Sequence, residues 1–452
     1  MEFHSVNPYN GDLIGTYTAQ TEEELKQVLD NSGEAFKSWR KKPLSERTEL
    51  LKKVAQVLRD NVEEYAKMIT LEMGKPISES RSEVNKCAWV CDYYAENASG
   101  FLADEVIQTD ARHSYVRHDP IGTVFAVMPW NFPFWQVFRF AAPTLTSGNT
   151  GILKHAPNVF GCASKIEEIF LKAGYPKGVF QNLIVHHDKS EMIIAHDAVQ
   201  AVTLTGSGGA GAAVAKIAGS HLKKSLLELG GNNAFIVWDD ADIDQAVKTA
   251  VTARMMNCGQ SCIAAKRFIL LEGIYDEFVT KFKTAVSELK RGDTMDDSTQ
   301  VGPLARKDLA DQLHSQVERS IEMGAELILG GKQDNCFHEP TILGNVKSGM
   351  PAFDEETFGP LAAMSKAKSI EEAFELSEQS KFGLGVTVFT KNIEKAMKMA
   401  ERVSDGAYFV NELVKSDPRL PFGGTQRSGY GRELAREGMM EFVNKKTVYV
   451  KA

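Results

Sequence analysis

The chain has few cysteines and no long apolar segment. It contains 452 residues and six cysteines, Cys87, Cys91, Cys162, Cys258, Cys262 and Cys336. Cysteines this sparse are typical of a reducing compartment and argue against a disulfide framework. No apolar run reaches the roughly 18 residues that a membrane-spanning helix needs, and the first residues lack the basic start and apolar stretch of a signal peptide. We therefore expect a cytoplasmic protein without a membrane partner.

Positive charge and metal-ligand clusters are also scarce. The chain carries 52 Lys and Arg residues against 60 Asp and Glu residues, which gives a net charge of −8 at pH 7. A nucleic-acid partner is not expected, because binding to phosphates needs basic patches. Cys87 and Cys91 share one helical stretch without His or Cys partners at zinc-site spacing. We therefore expect these two cysteines to pack in the core, and we expect no metal site.

What the sequence does contain is a long alternation of strand-like and helix-like segments. The first alternating region runs from residue 121 to residue 205, and a second begins at residues 234–237 and ends at residues 407–410. Alternation of this kind predicts an α/β fold with parallel, doubly wound sheets. Residues 114–120 and 446–450 are further strand-like segments near domain edges, and we expect them to pair with each other or with a neighbouring subunit.

A polar turn, Asn257-Cys258-Gly259-Gln260-Ser261-Cys262, lies between a helix-like and a strand-like segment. A turn between two buried elements holds a side chain rigidly where it can meet a substrate, which makes Cys262 a candidate nucleophile. The alternative is a buried cysteine that packs as a small apolar residue, the commonest role of a free cysteine. For Cys258, packing is favoured over a disulfide with Cys262.

Residues 206–211, with the sequence Gly-Ser-Gly-Gly-Ala-Gly, match the G-x-G-x-x-G pattern of dinucleotide-binding turns. They precede a helix predicted at residues 212–218. Such glycines let the backbone approach a pyrophosphate at a helix N-terminus; alternatively, they only pack a helix on a sheet. The pattern also expects an acidic ribose ligand about 20 residues later, which Glu228 fits roughly. A carboxylate between leucines and glycines suits a general base equally well, and spacing does not decide between these roles.

The apolar loop at residues 129–133 contains a single amide, Asn131, at the end of a predicted strand. This amide is suited to donate a hydrogen bond to a developing oxyanion. Alternatively, it is a turn residue whose side chain forms hydrogen bonds with nearby backbone groups. Arg139 follows on an apolar helix. It is suited to bind a substrate carboxylate or to pair with an acidic residue of the core.

Together these motifs resemble the NAD(P)-dependent aldehyde dehydrogenase superfamily. The shared motifs are Pro129-Trp130-Asn131-Phe132-Pro133, Lys154, residues 206–211, Glu228-Leu229-Gly230-Gly231, Gly259-Gln260-Ser261-Cys262, Glu355-Glu356-Thr357-Phe358-Gly359-Pro360 and Pro421-Phe422-Gly423-Gly424. The resemblance covers nearly the whole chain. It implies a Rossmann-type cofactor-binding domain at residues 1–101 and 121–229, an α/β catalytic domain at 230–430, and oligomerisation strands at 102–120 and 431–452. A homodimer or homotetramer is implied.

The resemblance also implies roles for individual residues. The implied catalytic residues are Cys262 as nucleophile, Glu228 as general base, and Asn131 as oxyanion donor together with the Cys262 backbone N–H. The implied cofactor-binding residues are Trp130, Lys154, Gly206, Ser207, Gly211, Glu356 and Phe358. Pro157 stands where many NAD-preferring members have a glutamate that binds the adenine ribose and repels a 2′-phosphate. The expected cofactor is therefore NADP or NAD.

Within the superfamily, the chain is most similar to short bacterial enzymes that oxidise succinate semialdehyde. Arg139 and Ser416 match positions that bind the distal carboxylate of that substrate, and a fixed pair of donors suits a planar anion. Three alternatives stay open: oxidation of glutarate semialdehyde, oxidation of an uncharged aldehyde, and a catalytically silent member of the family. Retention of the implied catalytic residues together with Lys154 argues against the silent member.

Overall fold

The computed structural model describes residues 1–451, in which strands and helices alternate as expected from the sequence. The strands are β1 (Glu2–Val6), β2 (Leu13–Thr18), β3 (Glu105–Val106), β4 (His113–Pro120), β5 (Thr123–Met128), β6 (Thr150–His155), β7 (Phe180–Leu183), β8 (Val199–Thr205), β9 (Lys224–Glu228), β10 (Asn233–Val237), β11 (Ala265–Leu271), β12 (Glu326–Leu329), β13 (Gln333–Asp334), β14 (Phe337–His338), β15 (Thr341–Gly344), β16 (Leu361–Ala367), β17 (Phe382–Gly383), β18 (Val386–Phe389), β19 (Tyr408–Val410), β20 (Thr425–Gln426), β21 (Gly429–Tyr430) and β22 (Val443–Val450).

The α-helices are α1 (Glu22–Trp39), α2 (Leu44–Asp60), α3 (Val62–Met73), α4 (Ile77–Phe101), α5 (Trp135–Thr146), α6 (Phe160–Lys172), α7 (Ser190–Ala195), α8 (Gly208–Ser220), α9 (Ile243–Met255), α10 (Tyr275–Ser287), α11 (Lys307–Glu322), α12 (Pro351–Asp354), α13 (Ile370–Glu378), α14 (Ile393–Met399) and α15 (Ala435–Met440). Short 3-10 turns lie at Pro157–Val159, His187–Lys189, Met256–Gly259, Glu272–Ile274 and Ala400–Arg402. Among the described residues, no helix combines the length and the apolar character that crossing a bilayer requires.

Local sequence signals set the start of two helices near the N-terminus and at the glycine-rich turn. The Thr21 hydroxyl accepts from the Glu24 N–H while the Glu24 carboxylate accepts from the Thr21 N–H, a reciprocal capping box at the start of α1. Ser207 caps α8 by accepting from the Ala210 N–H. Helix α8 therefore begins at Gly208, not at residue 212 as predicted, and the last three glycines of the motif lie inside the helix.

A six-stranded sheet forms the first α/β unit. Its order is β21-β9-β8-β5-β6-β7, and every neighbouring pair is parallel except β21 with β9. Strands β5, β6 and β8 are almost entirely buried, as expected where helices cover both faces of a parallel sheet. Because these strands are parallel, the carboxyl ends of β5, β6, β8 and β9 lie along one edge of the sheet.

A seven-stranded sheet forms the second α/β unit. Its order is β12-β15-β16-β11-β10-β18-β19, and every neighbouring pair is parallel except β12 with β15. Only residues 229–232 connect β9 of the first sheet to β10 of the second. The carboxyl edge of the first sheet therefore lies close to the amino ends of the strands of the second.

Two strands from distant parts of the sequence form the centre of a third, antiparallel sheet. Strand β22 pairs with β4 over the whole length of both, and β3 pairs with the other edge of β4. The expectation that these segments pair with each other is confirmed. The rest of the chain end belongs to the first unit, since α15 packs against α4 and α5 and β21 pairs with β9. The predicted oligomerisation segment at 431–452 is thus a strand only at Val443–Val450.

Candidate active site

The residues singled out in the sequence gather where the two large sheets meet. Asn131 follows β5, Lys154 lies near the end of β6, Ser207 follows β8, and Glu228 is the last residue of β9. Open parallel sheets bind their ligands at this carboxyl edge. Cys262 lies in the turn that precedes β11 of the second sheet. The fold therefore places a candidate nucleophile opposite the candidate base and the candidate cofactor residues.

The turn before Cys262 has a strained backbone. Asn257 and Cys258 have φ values of 53° and 52°, a left-handed conformation that costs about 1–3 kcal/mol per residue for residues other than glycine. The Glu79 carboxylate holds the turn by accepting a 2.7 Å hydrogen bond from the Asn257 N–H. The Asn257 side-chain amide donates to the backbone oxygen of Asn131 at 2.8 Å. These contacts fix the nucleophile turn relative to the Asn131 loop.

The two cysteines of this turn have different surroundings. Cys258 is buried, and its sulfur lies 3.0 Å from the backbone nitrogen and 3.1 Å from the backbone oxygen of Gly302. Cys262 is partly exposed and lines a cavity. Burial raises the pKa of the Cys262 thiol to about 11, while the positive charges of Lys266 and Arg139 act to lower it. Because the thiolate is the reactive form, the nucleophilicity of Cys262 depends on these cations.

Lys266 is a buried cation next to the nucleophile that the sequence analysis missed. Its ammonium donates to the backbone oxygens of Ser261 at 2.9 Å and Cys262 at 2.7 Å, and lies 3.6 Å from the Glu356 carboxylate. Burial lowers the pKa of Lys266 to about 8. A side chain at Gly231 would place its Cβ 2.6 Å from the Cys262 oxygen, so the Gly230-Gly231 motif allows the turn to approach this closely.

Glu228 is buried at the same junction and has one unpartnered oxygen. Within residues 1–451, Glu228 Oε1 has no hydrogen-bond partner, which suits an oxygen that contacts water or substrate. A Cβ at Gly423 would lie 2.7 Å from this oxygen, so the glycine keeps the space open. Burial raises the pKa of Glu228 well above its usual range, and the neighbouring Glu433 carboxylate raises it further. A carboxylate whose proton affinity is raised in this way is suited to accept a proton from water.

Arg139 has a partner inside the protein. Its guanidinium forms a buried ion pair with Glu433, lies 3.4 Å from the Thr205 hydroxyl, and packs over the Phe422 ring with its central carbon 4.7 Å from the ring centroid. The ion pair with Glu433 agrees with the alternative interpretation of Arg139, in which it pairs with an acidic residue of the core. Contact between Arg139 and a substrate carboxylate stays a prediction.

Two N–H donors at the nucleophile turn are free to bind an oxygen atom. The Asn131 amide donates one N–H to the backbone oxygen of Gln260 at 3.1 Å, which leaves its second N–H free. Across residues 1–451, the backbone N–H of Cys262 donates no hydrogen bond. Unpaired donors held on a fixed backbone are suited to stabilise the oxyanion that forms when a thiolate attacks a carbonyl group.

The residues at the ends of β6 and β8 fit a dinucleotide. Lys154 is buried, and burial alone lowers the pKa of its ammonium, so no acidic group of the described chain balances its charge. Pro157 is exposed at the start of the 3-10 turn that follows β6. The first turn of α8 is exposed, with open space beside Gly208 and Gly209. A helix N-terminus of this kind favours phosphate groups.

The segment at residues 355–360 comes from the second sheet and completes the site. The rings of Trp130 and Phe358 meet edge to face with their centroids 5.8 Å apart. The Glu356 carboxylate accepts a 2.9 Å hydrogen bond from the Gly231 N–H. Buried Arg254 donates to the backbone oxygens of both Gly259 and Gly359, so it ties this segment to the nucleophile turn.

One cavity of ≈ 480 Å³ opens onto Cys262, a size typical of sites for small molecules. Its walls include the apolar side chains of Trp135 and Phe422 and the polar side chains of Ser416 and Lys86. The Ser416 hydroxyl accepts a 2.9 Å hydrogen bond from the Lys86 ammonium. The sequence analysis identified Ser416 but not Lys86, because 330 positions separate the two residues in the chain.

The chain is similar to known aldehyde dehydrogenases both in sequence and in structure. The model of the aldehyde dehydrogenase family matches residues 1–448. The chain is 47% identical over 453 residues to a probable succinate-semialdehyde dehydrogenase (NADP+) of Synechocystis sp., with 100% of both chains covered. It is 44% identical over 448 residues to a succinate semialdehyde dehydrogenase (NAD(P)+) of Escherichia coli, with 98% of this chain and 97% of the relative covered. The crystal structure of succinic semialdehyde dehydrogenase from Streptococcus pyogenes in complex with NADP+ superposes with a TM-score of 0.97 at 38% identity, covering 100% of both chains.

Proposed function

The chain belongs to the aldehyde dehydrogenase family, and we propose that within this family it oxidises succinate semialdehyde to succinate with NADP or NAD. The observation that carries the proposal is the cavity itself, which joins a partly exposed Cys262 to a polar end at Ser416 through apolar walls. An aldehyde with an apolar chain and a distal carboxylate matches this distribution of groups. The relatives named for this activity and cofactor, at 44% and 47% identity, support the same assignment.

The proposed chemistry starts at sulfur. The Cys262 thiolate attacks the aldehyde carbon and forms a carbon–sulfur bond, while the new oxyanion accepts hydrogen bonds from the Asn131 amide and the Cys262 N–H. When bound, NADP or NAD supplies the hydride acceptor that turns this adduct into a thioester. Lys154, Glu356 and the N-terminus of α8 would hold that cofactor.

Hydrolysis then returns the enzyme to its starting state. Glu228 takes a proton from a water molecule, and the resulting hydroxide attacks the thioester carbon. The carbon–sulfur bond breaks, the Cys262 thiolate is regenerated, and the acid leaves as its carboxylate. The proton of the acid and the proton held by Glu228 pass to solvent. The unpartnered Oε1 of Glu228 is the oxygen suited to accept the proton.

The test of the proposed function is the formation of NADPH or NADH with a panel of aldehydes. We expect kcat/KM for succinate semialdehyde to exceed that for glutarate semialdehyde and for butyraldehyde, the latter by about tenfold or more, because butyraldehyde lacks the carboxylate. A best substrate other than succinate semialdehyde would replace this assignment by one of the two other aldehyde classes. Absence of turnover with every aldehyde and both cofactors would identify a silent member of the family.

Cofactor choice is predicted to depend on position 157. Wild-type enzyme should use both NADP and NAD. Pro157 has no side-chain carboxylate, so it neither binds the hydroxyls of the adenine ribose nor repels a 2′-phosphate. Pro157→Glu should raise KM for NADP by roughly tenfold or more through like-charge repulsion, and KM for NAD by much less. Pro157→Ala, which adds no charge, is the control. An equal loss with both cofactors in Pro157→Glu would mean that this position does not face the ribose.

We also propose that the enzyme is a cytoplasmic homodimer or homotetramer that associates through the three-stranded sheet β22-β4-β3. The outer strands of this sheet leave large apolar side chains exposed, Val106 at 73%, Tyr449 at 46% and Val450 at 43%. Exposed apolar strand edges favour association with another chain. Light scattering of the purified protein measures the mass of the assembly, and a monomer at micromolar concentration would contradict the proposal.

A further inference from the structure

Lys86, on helix α4, is the one cation of the cavity wall that lacks an acidic partner in the described chain. Three positively charged side chains line the cavity: Lys86, Arg139 and Lys415. Arg139 is paired with Glu433, and Lys415 lies 2.9 Å from Glu412. Lys86 makes no ion pair within residues 1–451, and its only hydrogen bond is the one to the Ser416 hydroxyl.

The surroundings of Lys86 make its charge costly without an anion. The ammonium lies 4.2 Å from the centroid of the Trp135 ring, whose face attracts a cation but carries no net negative charge. Burial, followed by the positive charge of Arg139, lowers the pKa of Lys86 to about 8. An anion bound at this point would restore the balance of charge, because a desolvated cation is stabilised most by a nearby opposite charge.

We propose that Lys86 is the cation that binds the distal carboxylate of the substrate and so determines its specificity for an aldehyde acid. This inference rests on the proposed oxidation of succinate semialdehyde. It adds Lys86, which has no ion-pair partner, to the predicted carboxylate contacts of Arg139 and Ser416.

Ser416 supplies the second contact. Its oxygen accepts a hydrogen bond from Lys86, so its own O–H stays free to donate to a carboxylate oxygen. A lysine ammonium has three N–H donors, and two of these remain after the bond to Ser416. One carboxylate can therefore receive a charge-assisted hydrogen bond from Lys86 and a second hydrogen bond from Ser416. The apolar chain of the aldehyde would lie against Trp135, toward Cys262.

The first test compares two substrates in matched lysine variants. We expect Lys86→Met to lower the ratio of kcat/KM for succinate semialdehyde to kcat/KM for butyraldehyde by about 10- to 100-fold, mainly through KM for succinate semialdehyde. Lys86→Arg should recover most of the ratio, because it keeps the positive charge. Lys415→Met removes a cation of the same cavity wall that already has an acidic partner, and it should leave the ratio within about threefold.

The second test uses wild-type enzyme, so it does not depend on the folding of a variant. The ammonium binds the carboxylate, and this form is lost as pH rises through about 8. The substrate ratio should therefore fall above pH 8 in wild type and stay level in Lys86→Arg. The charged and titratable groups that shift the pKa of Lys86 are Arg139, Cys87, Glu83 and Asp417. Glu83 is paired with Lys75, and Asp417 is paired with Arg419, which lowers the pKa of Asp417. Burial raises the pKa of Glu79, a carboxylate of the same cavity wall, to about 7, so most of its titration precedes that of Lys86.

The outcomes separate the inference from the proposed function. A wild-type enzyme that prefers succinate semialdehyde, with a ratio unchanged in Lys86→Met and level across pH 8, would overturn the role of Lys86 and leave the function standing. A wild-type enzyme with no preference for the carboxylated aldehyde would overturn both. A lowered ratio in Lys86→Met that Lys86→Arg restores supports the assignment.

Discussion

Cys262→Ala should lower the rate of aldehyde oxidation by about four orders of magnitude or more, because no other group can form the thioester. Binding of NADP should change by no more than a few-fold, since the thiol is needed for the chemistry and not for the nucleotide. The measurement is NADPH formation at saturating succinate semialdehyde, together with a fluorescence titration of NADP binding to the same variant.

Cys258→Ala is the matched control, because Cys258 lies in the same turn and its sulfur contacts Gly302. This variant should retain measurable turnover even if the strained turn becomes less stable. Appreciable oxidation by Cys262→Ala would exclude the covalent mechanism. Equal loss in both cysteine variants would indicate that the geometry of the turn, and not the Cys262 thiol, had been removed.

Glu228→Gln should slow hydrolysis of the thioester by about 10² to 10⁴-fold, the usual contribution of a general base. Formation of the thioester should be affected less. Rapid mixing with succinate semialdehyde and NADP should therefore give a burst of NADPH, followed by a much slower steady state. An unchanged steady-state rate would return Glu228 to a structural role.

The pH dependence of thioester hydrolysis is an independent test of the role of Glu228 as general base. Burial and Glu433 raise the pKa of Glu228, and only the ionised carboxylate accepts a proton from water. Hydrolysis should therefore accelerate as pH rises in wild type and lose this dependence in Glu228→Gln. Glu46→Gln is a suitable control, because Glu46 is an exposed carboxylate that already pairs with Lys42 at 2.6 Å and is not among the charges that shift the pKa of Glu228. This control should keep the wild-type pH profile.

The sequence predicted the alternating fold and the residues of local motifs, because strand–turn–helix order determines which residues reach the edge of a parallel sheet. Asn131 and Ser207 each follow a predicted strand, and the structure brings them to one edge together with Glu228, which ends a strand that was not predicted. Pairing of the strand-like segments at residues 114–120 and 446–450 with each other was one of the two predicted alternatives. The start of α8 was not, because the helix cap at Ser207 competes with the loop preference of the glycines that follow.

The charged partners inside the site could not be predicted, because they depend on contacts between distant segments. Lys86 meets Ser416 across 330 positions, and Arg139 meets Glu433 only because the chain end folds back onto the first sheet. Lys266 is close to Cys262 in sequence, but its contact with Glu356 depends on the second sheet. Spacing shows which residues share an element, whereas the partner that neutralises a buried charge depends on tertiary packing.

The most direct measurement of the central claim is the chemical identity of the group that accumulates on Cys262. Glu228→Gln enzyme should be mixed with succinate semialdehyde and NADP, quenched in acid during the NADPH burst, and analysed by peptide mass spectrometry. The account predicts a succinyl group attached as a thioester to Cys262, in an amount equal to the burst. A burst without an adduct, or an adduct on a different residue, would contradict it.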